Sequence, residues 1–150
     1  MAGDWDLAVR PLDDNPKYLA VARHLCDGVS WMDTGIIAYV QQKLREVGRY
    51  DDCETDADVI RRYERLDVIT AQIRKEGRLR RQFELGTALR GEHGGIMLHL
   101  DRNGALIKGI GGAHRLAIAR ALKLPQIPVQ IGVVHPLAIS SGFFRAIKKA

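Results

Sequence analysis

Residues 109–115, GIGGAHR, place three glycines and an alanine directly before a histidine and an arginine. Glycine accepts positive φ and lets a ligand come close to the backbone. A helix that opens here would present unpaired N–H groups at the positive end of its dipole. His114 adds a ring donor, and Arg115 adds a planar, permanently charged fork that matches phosphate oxygens. Gly111, Gly112, Ala113, His114 and Arg115 together have the chemistry to hold a di- or triphosphate. The plainer account of the same residues is a tight turn in which His114 caps a carbonyl and Arg115 pairs with a surface acid. The five-residue pattern alone does not decide between the two.

The remaining reactive side chains are more dispersed. His93 and His99 lack the i, i+4 spacing and the neighbouring carboxylates of a zinc site. His99, on the polar side of an alternating segment, reads as a surface histidine within reach of a ligand. His135 precedes Pro136 at the end of a segment and has no assigned role. Cys26 and Cys53 have no CxxC partner and read as reduced thiols, so no metal site is expected. Trp31 and Tyr39 read as core or interface aromatics. An aromatic content of 6% argues against a protein that binds single strands by stacking.

The net charge of +5 has one source. Residues 61–81 carry eight Lys or Arg against Glu64, Asp67 and Glu76, which is the whole excess. Such a field attracts phosphate, on a nucleotide or on a nucleic acid backbone, unless it is an ordinary solvated helix face. The 150 residues, 46% of them hydrophobic, suffice for one folding unit with a core. No stretch approaches the roughly 20 apolar residues of a membrane span, and the chain reads as cytoplasmic, with no membrane partner.

These side chains must be positioned by elements whose limits the sequence marks. Asn15-Pro16 opens a helix carried by Tyr18, Val21, Ala22 and Leu25 and ended by Gly28. Ile36, Val40, Leu44 and Val47 define a second helix between the Asp33-Thr34 cap signal and Gly48. Thr55 and Asp58 begin a third, with Tyr63, Leu66, Ile69, Thr70 and Ile73 on one side and Arg65, Gln72 and Lys75 on others. After residue 90, Ile96, Leu98 and Leu100 alternate with Met97 and His99 up to Asn103-Gly104, which predicts a hairpin with a tight primed turn. AHRLAIARALKL follows the glycines as a helix that Pro125 stops, and Ile127, Val129, Ile131 and Val133 predict a further strand. GFFRAIKKA predicts a short basic helix at the C-terminus.

The segment GIGGAHRLAIARALKLPQIPVQI resembles the core motif of the ParB/sulfiredoxin-like superfamily. Sulfiredoxins carry Gly-Gly-Cys-His-Arg there, ParB-type proteins Gly-Glu-Arg-Arg and free-serine kinases Gly-His-His-Arg, each before an alanine-rich helix and an Ile-Pro-Val strand. YERLDVITAQIRKEGRL is similar to the helix that precedes the first nucleotide-facing strand. The resemblance covers residues 60–134, most closely 107–131. It implies a nucleotide site at Gly111, Gly112, Ala113, His114 and Arg115, with Arg65 near the position of a sulfiredoxin lysine. Glu64 falls in the neighbourhood of a serine-kinase catalytic glutamate, although an ordinary ion pair explains it as well. Ala113 stands where sulfiredoxins have their reactive cysteine, and a methyl group cannot act as a nucleophile. No helix-turn-helix of a complete ParB protein is visible.

The expected fold is α+β: a small mixed sheet of the ParB/sulfiredoxin type flanked by helices (residues 56–150), preceded by a helical N-terminal extension (residues 1–55). The expected function is binding of a nucleoside di- or triphosphate, ATP or CTP, with Mg²⁺ carried by the phosphates, used in hydrolysis or phosphoryl transfer. The rival from another class is a DNA- or RNA-binding regulatory module that uses the same corner and the basic 61–81 helix. Base preference, phosphoryl acceptor and oligomeric state are open at this level.

Overall fold

Capping chemistry sets the helix limits in the computed structural model, which describes residues 3–86 and 95–147. Helix α1 (Pro16–Asp27) starts with the Asn15 side chain accepting from the Lys17 amide and ends at a left-handed Gly28. Helix α2 (Ile36–Val47) opens one residue later than its Asp33-Thr34 signal, with Gly35 as cap. Thr34 Oγ1 donates to the Trp31 carbonyl and accepts from the Ile36 amide, while the Ser30 hydroxyl donates to Asp33. Helix α3 (Asp56–Glu76) has a complete Thr55/Asp58 capping box and ends at a left-handed Gly77. Val59, Tyr63, Leu66, Thr70 and Ile73 form its buried side. Residues 87–94, and His93 with them, lie outside the described residues.

Strands β1 (Met97–Leu100), β2 (Leu106–Lys108) and β3 (Gln130–Val134) form a mixed sheet in the order β2-β1-β3. β1 is antiparallel to β2 and parallel to β3. The alternation along β1 is real: Ile96, Leu98 and Leu100 are buried. β3 is half-buried at every position but Gly132, so its apolar alternation does not translate into a two-faced pattern. The predicted primed turn at Asn103-Gly104 takes another form. Asp101 Oδ1 accepts from the amides of both Asn103 and Ala105, and only Gly104 of the Asn-Gly pair has positive φ. An Asx turn with a five-residue connection replaces the two-residue loop, because a short carboxylate can satisfy the turn amides itself.

Helix α4 (Ala113–Ala121) follows the glycines, and short helices α5 (Pro136–Ser140) and α6 (Phe143–Ile147) follow β3. α4 stops four residues before Pro125: Lys123 adopts φ +52° and the Leu124 amide bonds back to the Ala119 carbonyl. No helix among the described residues is long and apolar enough to cross a membrane.

The protein is thus α+β, and it forms two compact units interleaved in sequence, where length and composition predict one folding unit. The sheet-bearing unit comprises Met1–Leu12, Arg80–Ala113 and Pro128–Ala150. The helical unit comprises Asp13–Leu79 and His114–Ile127. Asp6 is buried in the first, where Arg102 grips it from both its side chain and its main chain. Nε and the amide of Arg102 donate to Oδ2, each at 2.9 Å, and Nη2 donates to Oδ1 at 2.7 Å. Nη2 also reaches Asp4 and the Gly3 carbonyl. Tyr63, Val21, Val40 and Val59 are among the fully buried side chains of the second unit. There Trp31 stacks on His24, packs on Tyr63 and donates its Nε1–H to Asp67.

Candidate functional site

The glycine bend is built at the end of β2, inside the sheet-bearing unit. The Gly109 amide makes the last ladder bond, to the Met97 carbonyl, after which the chain turns away. Gly111 (φ +84°) and Gly112 (φ +66°) take the left-handed conformation in succession. A Cβ on Gly112 would stand 2.7 Å from Ile96 Cα and 2.8 Å from the Gly95 carbonyl oxygen, a clash with main chain that no rotamer relieves. Glycine is therefore required twice over there, by its dihedral and by its neighbours. Among the described residues, the amides of Gly111, Gly112 and Ala113 make no hydrogen bond. Gly111 and Gly112 lead into Ala113, the first residue of α4, whose amide is one of the donors that a helix start leaves without an intrahelical partner.

The bend carries a cation that the sequence reading does not include. The Lys108 ammonium folds back and donates to the carbonyl oxygens of Gly109 and Gly111. It neutralises the acceptor side of the turn and leaves the amides to other partners. The lysine stands directly before the GIGG run, so the signal was in view, but side-chain direction at a turn is not periodic. Ile110, at the tip, is 90% exposed.

The other sequence candidates occupy different settings. The His114 side chain is 7% exposed and belongs to the helical unit. Its Nε2 lies 3.3 Å from the Tyr63 hydroxyl, and the two rings meet edge to face at 5.6 Å. Burial lowers its pKa to about 4 although the Asp51 carboxylate opposes the shift, so the ring is neutral at ordinary pH. Asp51 itself is held below the usual carboxylate range by Lys17 and Arg62, which outweigh its own burial. Arg115 is half-exposed on the first turn of α4 and is engaged in an interaction. Glu64 and Arg65 are exposed on α3. Two arginines of the basic run are bound to acids: Arg61 to Asp58, and Arg62 to Asp51 at 3.1 Å. Cys53 is buried at the Tyr50–Cys53 turn, and Cys26 is exposed at the end of α1. Among the described residues no cluster of three or more His, Cys, Asp or Glu could hold a metal ion.

Two histidines of the sheet-bearing unit surround Trp5. Its ring meets His99 edge-on at 6.0 Å and His135 at 6.2 Å. His135 Nδ1 accepts from the Leu137 amide, which leaves its Nε2–H to donate to the Gly3 carbonyl.

No family model, curated protein or solved structure matches the chain.

Proposed function

We propose that the bend formed by Lys108, Gly109, Gly111, Gly112 and Ala113 binds the phosphates of a nucleoside di- or triphosphate such as ATP or CTP. The observation that carries this reading is the run of three consecutive amides, at Gly111, Gly112 and Ala113, that make no hydrogen bond among the described residues. Consecutive amides around left-handed glycines form a concave nest for an oxyanion, and the lysine ammonium adds charge at its rim. The resemblance of residues 107–131 to the ParB/sulfiredoxin-like motif supports the same ligand class, and with it that superfamily's fold. Mg²⁺ would arrive on the phosphates. What the bend can do chemically is hold and neutralise a terminal phosphate, the positioning part of hydrolysis or phosphoryl transfer. The His114 ring, committed to Tyr63, supports the helical unit in this reading, and Arg61 and Arg62, bound to acids, weigh against a nucleic acid track along α3.

The test is a thermal-shift and calorimetric panel of ATP, CTP, ADP and pyrophosphate, with and without Mg²⁺. Binding raises the melting temperature with the logarithm of ligand concentration over Kd. Gly111→Ala, which forces a side chain into φ +84°, should reduce that rise sharply, and Glu64→Gln should leave it intact. Absence of binding by every probe would sink the reading.

A further inference from the structure

We infer that His99 supplies the bend with a neutral ring N–H donor for the bound phosphate, an assignment that rests on the phosphate reading above. The His99 ring lies across the sheet in space that side chains on both neighbouring strands would otherwise fill. A Cβ on Gly109 would stand 2.7 Å from its Nε2, and a Cβ on Gly132 would stand 2.7 Å from its Nδ1 and Cε1. One glycine on β3 and one just past β2 therefore admit a single imidazole. The register between β1 and β3 shifts opposite His99, and there the Val133 amide donates to Nδ1 at 2.9 Å. An amide that donates to Nδ1 assigns the ring proton to Nε2.

That nitrogen lies against Gly109, the first residue of the bend, and has no partner among the described residues. On its other side the ring meets the edge of Trp5, and the next residue, Asp6, is locked to Arg102. Two glycines, a bulge amide and an anchored indole thus hold one ring orientation. A merely structural histidine needs only the Val133 bond. The four together present the Nε2–H where the chain enters the anion nest, a donor that adds to the backbone amides without adding charge.

The two nitrogens can be tested separately. In His99→Asn the side-chain oxygen can stand in for Nδ1 toward Val133, whereas in His99→Gln the amide nitrogen reaches the position of Nε2. The measurements are melting temperature and calorimetric affinity for MgATP and for magnesium pyrophosphate on the full chain. His99→Asn is expected to melt within a few degrees of the parent and to bind both probes about tenfold or more weakly, since a donor to a charged acceptor is lost. His99→Gln is expected to melt lower and to keep affinity within about threefold. Parent-like affinity in His99→Asn, or affinity losses that simply follow the melting temperatures, would overturn the assignment and leave the phosphate site standing. A parent that binds neither probe would overturn both.

Discussion

His114 shows how burial changes the work of a residue type. An imidazole next to Arg115 is a natural phosphate donor by chemistry, yet His114 is only 7% exposed and its ring faces Tyr63. Its pKa is lowered to about 4 chiefly by desolvation. The unfolded chain, with an ordinary histidine pKa near 6.5, therefore binds more protons than the folded one between pH 6.5 and 4. Stability is full above that window and is lost as pH falls through it, by roughly 3 kcal/mol from this group alone. Urea unfolding at pH 7.5 and at pH 4.5 should show the loss. His114→Gln should be less stable at pH 7.5 but should flatten the pH dependence over the same window. An unchanged slope in the variant would mean that another group is responsible.

Among the elements, the junction before α3 contains both a favourable and an unfavourable device. Thr55 and Asp58 close a reciprocal capping box, and Thr55→Ala should lower stability by about 1 kcal/mol in denaturant titration. Immediately upstream, Asp51 (φ +56°) and Asp52 (φ +61°) turn the chain in left-handed conformation between the paired Tyr50 and Cys53. Asp51 repays the strain through Lys17 at 2.9 Å and Arg62 at 3.1 Å. Among the described residues Asp52 has only a 3.7 Å contact with Arg62, and its side chain is 82% exposed. Asp52→Gly should therefore stabilise the protein by up to about 1 kcal/mol, while Asp51→Gly should destabilise it. The same titration distinguishes the two directions.

For the molecule as a whole, the contact that closes the sheet-bearing unit joins residues 96 positions apart. Arg102 holds the Asp6 carboxyl well below the usual carboxylate range, mainly through their side-chain hydrogen bonds. Gly3, Asp4 and Asp6 are thereby fixed to the strand connection, with Trp5 beside His99 and His135. Arg102→Leu leaves the Asp6 carboxylate buried without its partner, a costly change. The expected result is a drop in melting temperature and a red shift of Trp5 emission, read in a Trp31→Phe background. Retention of blue emission would show that Trp5 is held without the ion pair. A phosphate site of the proposed kind would also respond to salt more gently than a nucleic acid track would.

Helix caps, helix faces and the β1 alternation were legible in the residues because each depends on neighbours within a few positions. Asn15, Thr55, Gly77 and the 96, 98, 100 triplet act locally and repeat with the geometry of their element. The glycine bend was legible for the same reason, since φ preference belongs to the residue itself. Tertiary structure decided the rest. The Tyr63–His114 and His99–Val133 contacts span 51 and 34 positions, and nothing in the local pattern says that one histidine is drawn into a core while the other is held on the sheet between two glycines. The division of the chain into interleaved units is of the same kind: composition along the sequence carries no record of which distant segments exclude water together. The residues supply the donors and the turns, and packing between remote segments selects which donors remain unpaired.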